Sequence, residues 1–348
     1  MGWSESQTLL DATTLRQILE EAPQRNILVV GDLILDHYVW GHVERISPEA
    51  PVPVVEVEHE SWMPGGAANV ARNLRALGVR TFVVGVVGRD ANGRLLQQLL
   101  EEEGTDCSGL LRVSDRPTSI KTRVLAARQQ IVRLDRENRS ALSPRGQERL
   151  VRRIEEQVDW LDAVIIGDYG KGVVTQYVLD RIREMCRPRA IWVSLDPKPS
   201  NPLDLRGLSL ITPNRKEAFA LAGQPDHRSH VKPLEDTALL EAARVIRDRY
   251  NPALLLITLG NQGMLLCRRG EAPFHIPTAA REVFDVSGAG DTVIAAFTLA
   301  IVAGASPEQA ALFSNLAAGV VVGKVGTAVA RPEELQDSLT WFQQHLVG

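Results

Sequence analysis

The chain has 348 residues, 44% of them apolar, enough for one large α/β domain or a large domain with a small appendage. Its formal net charge of −4 excludes bulk attraction to nucleic acid or to an anionic membrane, so a phosphorylated ligand would have to meet a local basic cluster. Three isolated cysteines, Cys107, Cys186 and Cys267, exclude a disulfide framework and fit a reduced, cytoplasmic protein.

Residues 1–25 read as a helical lead-in. No basic segment followed by an apolar run is visible there, so no signal peptide is expected, and Gly2 with Ser6 is a chance match to a myristoylation pattern. Ile27 to Val30 is a short apolar run ending at Gly31, which predicts a buried parallel strand. Asp32 follows directly and Asp36 comes soon after. Carboxylates there suit hydroxyl recognition, because α/β sheets place ligands at the carboxyl ends of strands. A solvated turn carboxylate is an equal reading for Asp36 and a weaker one for Asp32.

The character then changes. Pro48, Pro51 and Pro53 precede an alternation of Val55 and Val57 with Glu56 and Glu58, which predicts an exposed edge sheet over 37–60. Gly65-Gly66-Ala67-Ala68-Asn69 opens a helix whose Val70, Leu74 and Leu77 share one face, and Gly78 ends it. Gly65 and Gly66 let a ligand approach the backbone, and Asn69 can donate and accept hydrogen bonds. Alone, an ordinary glycine turn capped by Asn is the commoner explanation. A second extended stretch, 111–134, is expected to pair with 37–60 in a small lid sheet. It carries Lys121, Arg123, Arg128 and Arg133, with 121 and 123 on one strand face and 131 and 133 likewise. From the residues alone, a phosphate-binding cluster and a solvated strand face are equal readings.

From 135 onward strands and helices alternate. The strands expected at 163–166, 191–195, 208–211 and 254–257 predict a right-handed doubly wound sheet. Asp168 and Lys171, and Asp196 with Lys198, follow strands and would face the cleft. Asn214 and Glu217 would share one face of a helix start, which also spells an Asn cap with a first-turn Glu. Asp285-Val286-Ser287-Gly288-Ala289-Gly290-Asp291 precedes the apolar run from Thr292 to Ala300. A helix starting there aims free N–H groups and its positive dipole end at an anion. Asp291 at that rim suits a base for a hydroxyl, and Gly288, Ala289 and Gly290 supply donors for a transferred phosphoryl group. A helix-start Asp in a glycine turn explains this segment about as well by itself. The run 292–305 is too short to span a bilayer. Ser306 and Gln309 form a capping box around Pro307, opening a helix to about Lys324. Residues 288–293 lack the last glycine of a dinucleotide fingerprint, 319–324 miss one residue and the Ser/Thr of a P-loop, and the seven histidines include no close pair for zinc.

The two Gly-rich helix starts, 65–69 and 285–291, resemble the two signatures of the ribokinase-like (PfkB) carbohydrate kinases, and the likeness runs from about Asn26 to about Pro332. Further stretches fit: 31–36, 168–172, 196–198, 212–214 and 317–327. Within the family, 45–54 and 121–135 resemble the heptose 7-phosphate kinases. The resemblance implies a ribokinase-like, doubly wound, mostly parallel sheet with helices on both faces plus a small β-sheet lid. It implies ATP-dependent phosphorylation of D-glycero-β-D-manno-heptose 7-phosphate at the anomeric hydroxyl, giving the 1,7-bisphosphate, with Mg²⁺ and room for K⁺. It assigns Asp32, Gly65, Gly66 and Asn69 to the sugar, and Asn214 and Glu217 to a magnesium–phosphate shell through water. The nucleotide would lie over Thr258, Gly260 and Gly263, with Asn315 and Ala318 walling the base. Bifunctional relatives carry a nucleotidyltransferase after the kinase half. This chain ends near that boundary and shows no H-x-G-H motif, so the second activity is expected to be absent. A kinase for another sugar and a non-catalytic sugar-binding regulator stay open. A projecting sheet leaves edges and apolar Val52, Val54, Val55 and Val57 exposed, which predicts a homodimer through the lid.

Overall fold

The first apolar run becomes a strand because both of its faces are covered: Ile27 and Val29 enter one core, Leu28 and Val30 the other. The computed structural model describes residues 10–126, 129–227 and 231–345. Arg128 and the first nine residues lie outside that set. In chain order, helix α1 (Ala12–Glu21) leads into β1 (Asn26–Gly31), then β2 (Leu33–Ile46), β3 (Pro53–Gly66), α2 (Ala67–Ala76), β4 (Arg80–Gly88), α3 (Ala91–Glu102), β5 (Asp106–Val113), β6 (Ser119–Ala126) and β7 (Gln129–Arg136). The next elements are α4 (Pro144–Glu155), β8 (Ala163–Gly167), α5 (Gln176–Cys186), β9 (Trp192–Asp196), β10 (Leu210–Ile211), α6 (Arg215–Ala222), α7 (Thr237–Tyr250) and β11 (Leu254–Thr258). The chain closes with β12 (Met264–Arg268), β13 (Phe274–Ile276), α8 (Ala289–Val302), α9 (Pro307–Val322) and α10 (Pro332–His345).

Among the described residues the large sheet has the order β13-β12-β11-β10-β9-β8-β1-β4-β5. It is parallel from β11 to β5, and β12 and β13 run antiparallel at one end. One face is covered by α1, α2, α3, α8, α9 and α10, the other by α4 to α7, as their buried residues show. The strand order reverses at β1 and β8. The crevice beyond their carboxyl ends is where such sheets hold ligands. Asp32 and the loop 168–173 sit there.

A second sheet, ordered β3-β2-β6-β7, stands beside the first. It is mixed, since β2 and β6 run parallel. The expected boundary at 111 is corrected: residues 106–113 are the edge strand β5 of the large sheet. Cys107 and Leu111 point inward from it, so its alternation is satisfied by the main core. The strand expected at 208–211 shrinks to two residues: the chain bends at Ser209, whose hydroxyl accepts from the Val193 N–H. The capping box at Ser306 and Gln309 is present and opens α9.

Candidate active site

Two helix starts meet at the crevice. Gly288 caps α8 with φ +77°, and a Cβ there would lie 2.5 Å from Asn69 Nδ2, so only glycine lets the two starts touch. Among the described residues the N–H groups of Gly290 and Asp291 have no acceptor within the protein, which leaves an uncapped helix end facing the crevice. Asn69, on α2, donates to Asp291 Oδ2 at 2.8 Å. One turn along, the Thr292 hydroxyl donates to Asn73 Oδ1 at 2.9 Å and stitches the helices together. Tyr169 donates its hydroxyl to Asp291 Oδ1. Burial pushes the Asp291 carboxyl up to about 6, and the Tyr169 and Asn69 donors restrain the rise.

Asp32 was expected at the sugar, and the structure puts it to another use. Its Oδ2 accepts from the N–H groups of Tyr169 and Lys171, both at 2.9 Å, and its Oδ1 from Val173 at 3.0 Å. The carboxylate is 1% exposed and organises the loop after β8. Asp168 is 3% exposed. It accepts from Gly170 N–H and Asn201 Nδ2, lines a separate cavity of about 290 Å³ with Lys198 and Asn201, and is pushed up to about 7 by burial. The Lys171 ammonium pairs with Glu137, at the end of the outer sheet.

Asp36 lies within β2 and is 3% exposed. Its Oδ2 lies so close to Gly65 that a Cβ on that residue would be 2.3 Å away. Strand pairing sets Asp36 beside Lys121 and Tyr38 beside Arg123, and then Lys121 beside Asp135 and Arg123 beside Arg133. These six side chains share one face of the outer sheet. Arg123 Nη1 meets Asp36 Oδ1 at 2.7 Å, and Arg133 grips Asp135 at 2.8 and 2.9 Å. Lys121 makes no ion pair among the described residues. Burial pulls its pKa down while Asp36 pulls it up. Asp36 lies against Gly65, beside the Gly66 cap of α2, so this face adjoins the two helix starts.

On the other side of the crevice, Asn214 and Glu217 form a reciprocal capping box, at 3.0 and 3.1 Å, that opens α6. The remaining Glu217 oxygen meets Lys198 Nζ at 3.4 Å. Burial, then the charges of Glu217 and Asp291, raise the Asp196 carboxyl well above its ordinary value. Among the described residues no three His, Cys, Asp or Glu side chains converge to chelate an ion directly. Gly260 and Gly263 take positive φ around a short turn beyond Thr258. The Asn315 amide donates to Pro277 O at 2.7 Å and holds the loop after β13. Ala318 packs partly buried on the core beside it.

A profile of the pfkB family carbohydrate kinases matches residues 24–334. The chain belongs to that family. This kinase is 43% identical over 330 residues to the bifunctional protein HldE of Geobacter sulfurreducens, and 41% identical over 322 residues to that of Wolinella succinogenes. The alignments cover 95% and 92% of the chain and 66% of either relative, so the kinase spans just under two thirds of their length. Its fold is similar to that of Escherichia coli phosphofructokinase-2 in complex with substrates and products (TM-score 0.72, 21% identity, 91% and 99% of the two chains). Arabidopsis thaliana ribokinase complexed with ribose and ATP is similar too (TM-score 0.68, 22% identity, 90% and 98%).

Sequence reading of the kinase passed over Tyr169, which lies inside the stretch 168–172 and touches the central carboxylate. It also passed over Tyr38, whose buried ring lies under the Arg123 guanidinium at 5.2 Å. The available signal for Tyr169 is its place in the loop after the strand expected at 163–166, the criterion applied to its charged neighbours.

Proposed function

We propose that this kinase transfers the γ-phosphoryl group of ATP to the anomeric hydroxyl of D-glycero-β-D-manno-heptose 7-phosphate. The observation that carries the reading is the adjacency of Asp291, at an uncapped helix start, to a strand face bearing Lys121 and Arg123. A sugar hydroxyl at Asp291 and a second phosphate on the outer sheet call for a substrate already phosphorylated at its far end. The HldE relatives and the resembling stretches 45–54 and 121–135 support heptose 7-phosphate.

In this reading Asp291 takes the proton from the attacking hydroxyl, and the N–H groups of Gly290 and Asp291 stabilise charge on the transferred group. Asp36, with Gly65 giving room, accepts from the sugar hydroxyls. Arg123 and Lys121 hold the distal phosphate. When bound, ATP supplies the phosphoryl group and Mg²⁺ neutralises its phosphates. The donor set fits: burial and the neighbouring Glu217 and Asp291 charges disfavour the ionised Asp196 carboxylate, which a cation held through water would relieve. The reading includes a homodimer through the outer sheet, where Val52, Val57 and Leu134 are exposed at 51%, 56% and 57%. Sedimentation at micromolar protein checks it, with a clean monomer contradicting it.

The test of the function is ADP release measured against a panel of sugars and sugar 7-, 6- and 5-phosphates. Turnover fastest with heptose 7-phosphate is the expected result. Turnover confined to a pentose or a ketohexose phosphate would replace it, and no turnover with any member would leave a sugar-binding regulator.

A further inference from the structure

We propose that Tyr169 is a positioning residue for the base: its hydroxyl orients the Asp291 carboxylate and keeps it ionised, and Asp32 holds Tyr169 in place to do so. The inference rests on Asp291 being the base.

The geometry builds from the backbone outward. Asp32 spends both oxygens on three N–H groups of the loop after β8, those of Tyr169, Lys171 and Val173. A buried carboxylate so occupied has little left for a ligand, and the loop it grips has one fixed course. Gly167 leaves the space the ring needs, since a Cβ there would lie 3.0 Å from Tyr169 Cε2. The hydroxyl then lands on Asp291 Oδ1 while Asn69 holds Oδ2. Asp291 is thus held at both oxygens by neutral donors from two different elements. Each oxygen keeps a second lone pair for a substrate hydroxyl.

Neutral donors are what a buried base requires. A carboxylate with no donors would carry a proton at neutral pH and could not act. An arginine or lysine in direct contact would remove its basicity. The charged groups facing Asp291 are Asp36 from β2 and Lys121 from β6, which oppose one another, and Asp196 at the end of β9. The balance therefore falls to burial against Tyr169 and Asn69. The shared proton stays on the phenol, because burial and the Asp291 charge raise the Tyr169 pKa well above its ordinary value.

The test compares Tyr169→Phe with the wild type by the pH profile of kcat with heptose 7-phosphate and ATP, by KM, and by the thermal midpoint. Losing one hydrogen bond to a carboxylate should move the acid limb up by roughly one to two pH units, with most of the rate restored at high pH and KM little changed. Should Tyr169→Phe not fold, 3,5-difluorotyrosine at position 169 is the second probe. It is a stronger donor and should move the limb to lower pH. An unmoved limb in either folded protein, or a loss equal at every pH, overturns the inference. Asp291→Asn separates the two claims. If it retains kcat, the base reading fails. If it is inactive while Tyr169→Phe follows the wild-type profile, only the role of Tyr169 fails.

Discussion

Asp32 follows β1 directly and Asp36 lies four residues on, inside β2, and the two serve regions built in opposite ways. Around Asp32 the charged groups are matched inside the protein: the carboxylate holds the loop after β8, and Lys171 is paired with Glu137. Around Asp36 the matching is incomplete. Arg123 makes one contact with it, Lys121 has no ion-pair partner among the described residues, and the next strand, β7, is exposed along its length. A region satisfied internally can hold a group still. A region with surplus positive charge at a cleft can receive an anion. The difference separates residues that position from residues that bind, although both carboxylates looked alike in the sequence as groups for hydroxyl recognition.

The comparison can be broken at four places, taken from the largest expected effect to the smallest. Asp291→Asn should lower kcat by roughly 10²–10⁴ while calorimetry still finds sugar phosphate binding, because the positioned base is lost and the basic face is intact. A folded variant with near-normal kcat would remove Asp291 from the chemistry. Asp32→Ala should cost about 3 kcal/mol or more of stability in urea unfolding, since three N–H groups lose a buried acceptor. A change below about 0.5 kcal/mol would mean the loop holds itself. Arg123→Ala should raise KM for the sugar phosphate by roughly 10- to 100-fold, the worth of one charge-assisted contact, and leave an unphosphorylated sugar almost unaffected. Equal effects on both would return the outer sheet to an ordinary solvated face. Smallest is the pH effect in the wild type. With the Asp291 carboxyl at about 6, kcat should halve near that pH and fall below it, because the protonated acid cannot accept a proton.

What was legible in the sequence was local. The caps of α9 and α6, the glycine starts of α2 and α8, and the buried runs of β1 and β8 are each decided within a few residues. So was the basic strand face at Lys121 and Arg123, since alternation along a strand fixes it. What was not legible depends on partners distant in the chain. Nothing near Asp32 says that its acceptors are backbone groups beyond Gly167, or that Asp168 faces Asn201 and Asn315 faces the Pro277 carbonyl. The strand β5 was misplaced because alternation shows that one face is buried without showing which sheet buries it. Asn214 and Glu217 show the opposite limit. Their spacing spelled a capping box, the capping box is present, and only a ligand complex separates that role from a place in a magnesium shell.

The most direct test of the central claim is kcat/KM of the wild-type kinase for heptose 7-phosphate against the same heptose without its phosphate. A base at Asp291 working beside a phosphate-reading face predicts a preference for the phosphorylated sugar of at least roughly 10-fold, weakening as salt is raised. Equal efficiency for the two sugars, unchanged by salt, would contradict it.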